Sequence, residues 1–198
     1  MQKTMKAVAT VSVVITVIFV FIYANTGSFL SFAITAGTIA YHFLMRLIVG
    51  GVYNVLMKNR ADYHKPWYQI KSWEEKLYRT LKVKQWKDKM PTYDPDVFNP
   101  HIHSWDEIAQ AMCQSELVHE TIVVLSFLPI VASRWFGSAP VFILTSVAAA
   151  AVDLSFVIMQ RYNRPRVVKI AEKNMTKFER WGCDEEKKQL VAMYNSQR

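Results

Sequence analysis

Apolar residues run without a single charge through positions 7–24. As a helix rising about 1.5 Å per residue, this run spans about 27 Å, close to the hydrocarbon thickness of a bilayer. A second apolar stretch covers 29–57, interrupted by His42, Arg46 and Asn54, and two more cover 117–136 and 139–159, joined by Gly137-Ser138 before Pro140. The pattern predicts an all-α integral membrane protein, a single membrane domain (1–198) with four transmembrane helices. Lys3 and Lys6 precede the first run as they would in a secretory signal peptide. The run is too long for that, however, and Ile22-Tyr23-Ala24 is a poor small-x-small cleavage site. A soluble four-helix bundle is also a poor fit, because helices apolar on every side would leave it no solvated face.

The segments between and after the spans read differently. The loop 58–116 holds Trp67, Trp73, Trp86 and Trp105 among lysines and arginines, the mixture found at head-group level. Ser72 with Glu75 three residues on forms a capping box that opens a helix, and Trp73, Leu77, Tyr78 and Leu81 make its apolar stripe. Pro91, Tyr93-Asp94-Pro95 and Asn99-Pro100 mark turns. In the tail 160–198, Val167, Ala171, Met175 and Phe178 repeat at helical spacing with charges between them, predicting a surface helix that stops near Gly182. Loop and tail thus carry amphipathic interfacial helices.

Charge then orients the chain. There are 24 Lys and Arg against 16 Asp and Glu, a net charge of +8. Ten of the basic residues lie in 58–116 and ten follow Gln160, whereas only Arg134 lies between the last two spans. Positive residues favour the cytoplasmic face, so both termini and the central loop of this multi-pass membrane protein are expected there. Topology and attraction to anionic lipid account for the basic excess, and no nucleic-acid partner is needed. Two cysteines without a CxxC pair exclude a disulfide scaffold and a thioredoxin-type motif.

Candidate chemistry sits inside or beside the spans. His42, Arg46, Gly50 and Asn54 follow one another at four-residue steps on one helix face. An arginine near the bilayer centre costs at least about 2.5 kcal/mol, so Arg46 should face protein or a wet cavity unless the span ends early and the side chain snorkels to the interface. Glu116 and His119 share a face at the start of the third span, which lets a carboxylate orient an imidazole. His119-Glu120 begins an HExxH zinc motif that fails because Val123 stands at the last position, and no metal site is expected, His101 and His103 notwithstanding. In the fourth span Ser146, Asp153 and Gln160 recur at seven-residue steps, with Arg46 or His42 as the expected partner of Asp153. The span ends in Arg161, Arg164 and Arg166, fork-shaped donors suited to phosphate or carboxylate. His42, Arg46, Glu116, His119 and Asp153 are therefore expected to line one polar cavity open to the inner leaflet. Nucleotide-binding glycine loops and a GxSxG elbow are absent from the sequence.

Three blocks carry a resemblance: Trp73-Glu74-x-x-Leu77-Tyr78-x-x-Leu81-x-Val83-x-x-Trp86-Lys87-Asp88-x-x-Pro91, then Glu116-x-x-His119, then Gln160-Arg161-Tyr162-Asn163-Arg164-Pro165-Arg166. In this order, over roughly 70–170, the chain resembles the glycosyl-diaponeurosporenoate acyltransferase family of small bacterial membrane proteins. It departs from the family pattern at Ala111-Met112-Cys113-Gln114, which lacks an arginine. The resemblance implies transfer of a fatty acyl group to a sugar hydroxyl of a carotenoid glycoside, with Trp86, Lys87, Asp88, Glu116, His119, Arg161, Asn163 and Arg164 as functional positions.

Acyl transfer also suits the residues themselves. His119 is the expected general base, oriented by Glu116 or Asp153. Together with the positions that the resemblance implies, His42, Arg46, Trp86, Lys87, Asp88, Gln160, Arg161, Asn163, Arg164 and Arg166 are the expected substrate contacts, and Arg161, Arg164 or Lys87 suit the phosphates of an acyl-CoA or an oxyanion. The expected acceptor is a membrane lipid or glycolipid, the co-substrate acyl-CoA or another acyl thioester, and no resident cofactor is expected. The alternatives are a lipid methyltransferase or reductase, and a non-enzymatic small transporter or membrane-complex subunit; the absence of visible inverted repeats weakens the transporter.

Overall fold

The computed structural model describes residues 2–137 and 139–196, with side chains described through Thr176. Every regular element among them is helical. Helix α1 (Gln2–Thr26) turns through Gly27 and Phe29, both at positive φ, into α2 (Leu30–Met57). The two form a hairpin in which Phe19 stacks on Phe32 at 5.4 Å between centroids. Lys58 and Asn59, in left-handed conformation, stop α2, and the Asn59 N–H donates to Gln114 Oε1 at 2.7 Å. That bond ties the end of the first hairpin to the second.

Between the hairpins lie a 3₁₀ turn at Pro66–Tyr68, helix α3 (Ser72–Thr80), the single turn α4 (Val83–Trp86) and 3₁₀ turns at Lys87–Lys89 and Pro95–Phe98. Helix α5 (Trp105–Leu125) starts twelve residues before the expected third span. Its start is set by a capping box: Glu107 N–H donates to Ser104 Oγ at 3.2 Å and Ser104 N–H to Glu107 Oε2 at 2.8 Å. Pro129, which cannot continue an α-helical ladder, opens the short α6 (Pro129–Phe136) that completes the crossing.

Helix α7 (Ala139–Ser196) is continuous, so the fourth span and the surface helix expected in the tail are one helix, and it runs past the stop expected near Gly182. Pro165 lies inside it, exposed, while the side chains of Arg161, one turn earlier, and Arg164, immediately before it, are anchored to other elements. Ser138, in the expected turn, and the side chain of Phe178, in the expected stripe, lie outside the described residues.

The opening of α3 differs from the expected box by one residue. Glu74, rather than Glu75, reaches back to accept the Lys71 N–H at 3.2 Å. Its inward face is accordingly Glu74 and Tyr78, while Trp73 and Leu81 from the expected stripe are 58% and 42% exposed. A polar acceptor inside drew the helix face around, because Arg161 is there to meet it.

Four helical stretches, Gln2–Thr26, Leu30–Met57, Trp105–Phe136 and Ala139–Thr176, are long and apolar enough to cross a membrane, as expected. Their outward faces carry Val17, Phe21, Val55 and Leu144, all well exposed, as lipid-facing surfaces require. The α5–α7 pair is the centre of the molecule, with α2 packed against it and α1 outermost on α2. The buried stripe of α7 runs Phe142, Ser146, Ala150, Asp153, Val157, Gln160, Arg164 and Ala171, a seam of three-, four- and seven-residue steps on one helix face that includes four polar residues. The protein is an all-α, multi-span membrane protein whose one strongly polar seam faces inward.

Candidate functional site

Two polar layers cross this seam. The inner one joins three helices. Asp153 on α7, 1% exposed, accepts a hydrogen bond from Arg46 on α2 through Oδ2, and its Oδ1 lies 2.9 Å from Nδ1 of His119 on α5. Arg46 uses its remaining reach on backbone carbonyls, His42 O at 3.0 Å and Ala149 O at 3.3 Å. The pairing of Arg46 with Asp153 meets the expectation that an intramembrane carboxylate finds a cation, and Arg46 is in the interior of the bundle rather than snorkelling. The His119 ring stacks on Phe156 at 4.7 Å, which fixes its plane. With Nδ1 taken by Asp153, Nε2 has no hydrogen-bond partner among the described residues. An imidazole held at one nitrogen by a carboxylate and open at the other is the arrangement of a general base.

About 12 Å further along α7, at 1.5 Å per residue, lies the outer layer. Glu116 of α5 is wholly buried; its Oε1 accepts from Arg161 and its Oε2 from Arg164. Arg161 also bonds Glu74 twice, from Nε at 2.9 Å and from Nη2 at 2.7 Å, and Tyr78 OH donates to Glu74 at 2.5 Å. The two guanidiniums hold three successive carbonyls: Arg161 takes Trp67 O and Gln69 O, each at 3.1 Å, and Arg164 takes Tyr68 O. Burial pushes the Glu74 carboxyl up. The bonds from Arg161, Tyr78 and the Lys71 N–H, with the guanidinium charge, outweigh burial and hold it at about 2. Burial, then the Glu74 bond, push the Tyr78 phenol in the opposite direction, upward.

This geometry revises the expected assignments. Glu116 does not orient His119, because both its oxygens are taken by arginines; Asp153 performs that role from the facing helix. Arg161 and Arg164, expected on donor phosphates, instead meet two carboxylates and three carbonyls of the protein itself. The single expected cavity is resolved into two layers with protein between them. His42, one turn before Arg46, is buried with neither ring nitrogen bonded, as is Ser146 Oγ. Gln160 bonds Ser115 at 3.2 Å across the α5–α7 seam, whereas Asn163 is half-buried beside it. Arg166 is exposed over the Tyr162 ring at 5.2 Å. Trp86, Lys87 and Asp88 bond within their own loop, Trp86 Nε1 to Leu81 O at 2.9 Å and Lys87 Nζ to Asp88 at 2.5 Å, and are not brought to His119.

Two features escaped the sequence. Trp67 Nε1–H donates to Glu120 Oε2 at 3.1 Å, placing an exposed indole beside the residue that follows His119. A surface cleft of about 550 Å³ opens on the loop side between the end of α2 and the start of α5, lined by Arg60, Tyr63, His64, Lys65, Asp106 and Gln110. Tyr63 OH donates to Asp106 in its wall, and burial with that bond pushes the phenol up to about 12. Among the described residues no three His, Cys, Asp or Glu side chains are grouped so as to hold a metal ion.

No curated protein and no solved structure matches the chain. The family described as CrtO, glycosyl-4,4'-diaponeurosporenoate acyltransferase, matches over residues 64–173. That segment is more than half of the chain and holds His119, Asp153, both carboxylates of the outer layer and the arginines that meet them; Arg46 comes from outside it. With four helices long and apolar enough to cross a membrane and a half-buried imidazole set against a buried carboxylate, this is a lipid-modifying membrane enzyme, and the chain belongs to the CrtO acyltransferase family.

Proposed function

We propose that the chain moves a fatty acyl group from a thioester donor to a hydroxyl of a glycolipid or carotenoid glycoside held in the membrane. The observation that carries this reading is the His119 ring, fixed through Nδ1 by Asp153 at 2.9 Å with Nε2 unpartnered among the described residues. A sugar hydroxyl is a weak nucleophile at neutral pH and needs a base as it attacks. Nε2 takes the hydroxyl proton while the oxygen forms its bond to the acyl carbon. As the C–S bond breaks, the imidazolium returns the proton to the departing thiolate, so the base is regenerated. Asp153 holds the Nδ1–H tautomer and stabilises the imidazolium, and Arg46 holds Asp153 in place. Family membership supports a lipid-modifying membrane enzyme, and a thioester donor and a hydroxyl acceptor are the partners that we propose for this base.

The test is transfer in membranes. Lipid extracts from cells with and without the gene, compared by mass spectrometry, should differ by an acyl mass on a glycolipid. His119→Ala should lower turnover by about a hundredfold or more, because a positioned general base contributes about 10²–10⁴-fold. Near-normal turnover in a well-folded His119→Ala protein would remove the assignment.

A further inference from the structure

We infer that Trp67 and Glu120 form a subsite for the polyhydroxylated head group of the acceptor lipid. The inference deepens the acyl-transfer reading and rests on it for the identity of the neighbouring base. Glu120 follows His119 directly on α5, so their Cα atoms lie about 3.8 Å apart and their side chains diverge by about 100° around the helix. Glu120 is half-buried, and its Oε2 accepts the Trp67 indole N–H at 3.1 Å while Oε1 has no partner among the described residues. Trp67 is 61% exposed, although its backbone is among the most firmly held in the loop. Arg161 takes its carbonyl, and the carbonyls of Tyr68 and Gln69 on the same turn are held by Arg164 and Arg161.

A rigidly mounted, solvent-facing indole beside a carboxylate with one free oxygen matches the chemistry of a sugar. The ring face covers the C–H side of a pyranose, and the carboxylate accepts from hydroxyls on its edge. The position fits as well. Trp67 bonds Glu120 and Arg161, which adjoin the loop-side ends of the apolar runs 117–136 and 139–159, the level at which indoles meet head groups. A head group held there contacts the residue next to His119 on α5. Membrane anchoring alone would account for an exposed tryptophan, but not for an indole tied to a carboxylate next to the base, nor for two buried arginines spent on the turn that carries it.

The experiment uses the full chain in lipid nanodiscs, titrated with a short-chain alkyl glucoside below its micelle concentration. A phosphocholine of the same alkyl length serves as the control. Binding is read by saturation transfer to the head-group protons. The glucoside should bind saturably and the phosphocholine should not. Glu120→Gln, which preserves shape, and Trp67→Ala should each weaken glucoside binding by about tenfold, whereas Trp67→Phe, which keeps a ring and loses the N–H, should fall between. Equal binding of both head groups, or glucoside binding unchanged in folded Glu120→Gln and Trp67→Ala proteins, would overturn the subsite and leave an interfacial anchor. Glucoside binding with these losses but without any acyl transfer by the parent protein would sink the acyl-transfer reading and keep the subsite. Normal acyl transfer with an unchanged KM for the glycolipid in Glu120→Gln would do the reverse.

Discussion

Asp153→Asn should damage stability and turnover for different reasons, and a second substitution should separate them. Asp153 is 1% exposed and serves two partners, Arg46 through Oδ2 and His119 through Oδ1. Replacing the carboxylate with an amide leaves the Arg46 guanidinium with only the His42 and Ala149 carbonyls inside a membrane span. Breaking a buried pair from one side costs about 3–5 kcal/mol. Removing Arg46 as well, in Arg46→Gln/Asp153→Asn, takes away the stranded charge. The double variant should then be more stable than the sum of the two single losses predicts by at least about 1 kcal/mol, since contacting residues couple on that scale. Turnover should not follow: without the carboxylate His119 has no fixed tautomer, and both Asp153 variants should fall about a hundredfold or more. Unfolding in mixed micelles followed by circular dichroism gives the first quantity, and acyl transfer followed by mass spectrometry gives the second. Strict additivity of the stability losses would show that Arg46 and Asp153 do not interact in the folded protein. Turnover within threefold of the parent in Asp153→Asn would show that His119 does not depend on Asp153.

The outer layer predicts an acid dependence with a definite sign. Glu74 takes its proton at about 2 in the folded protein against 4.5 in the ordinary state, so its contribution of about 3 kcal/mol is present above pH 4.5 and lost as the pH falls toward 2. The stability gap between the parent and Glu74→Gln should shrink steadily over that window in micellar unfolding titrations; a gap constant from pH 5 to pH 3 would refute it. Orientation is tested by reporter fusions: those after Pro91 and at Arg198 should report the cytoplasm and those after Ser28 and Gly137 the outside, and any swapped result overturns the proposed topology.

The spans were legible because an uninterrupted apolar run of membrane length has few other uses, and the Arg46–Asp153 pair was legible because neither charge is affordable alone in that setting. The choice of partner for His119 was not. Sequence spacing displays neighbours on one helix, such as Glu116 three residues before His119, but does not rank them against a candidate across a helix pair, such as Asp153, so both carboxylates stayed open. Nor does it show that Glu74 and Glu116, 42 residues apart, converge on the same arginine. Arg161 and Arg164 therefore read as open donors when each was already committed. The start of α5 was visible as Ser104-Trp105-Asp106-Glu107, a capping box of the same form as the one proposed at Ser72, but the apolar run drew the boundary to residue 117. Its polar first turns are helical because Ala109 and Cys113 pack against Tyr63 and Tyr68 of the loop. At Pro165 and Gly182 the local breaking tendencies were real and were outweighed by the surrounding helix.

The two layers divide their work by how many of their valences are closed. In the outer layer both oxygens of Glu116 and of Glu74 are occupied, and the two arginines also donate to three consecutive carbonyls of one turn. A network in which two cations meet two carboxylates balances its charge within the protein. What it does is fix the turn that carries Trp67, and through the indole N–H it sets the position of Glu120. In the inner layer Asp153 is also closed, by Arg46 and His119, but the chain of bonds ends on a ring nitrogen that is not. Charge in the outer layer therefore acts on position and charge in the inner layer on reactivity. It follows that substitutions at Arg161 or Arg164 should reach the reaction only by loosening the Pro66–Tyr68 turn, while those at Arg46 reach it through the basicity of His119.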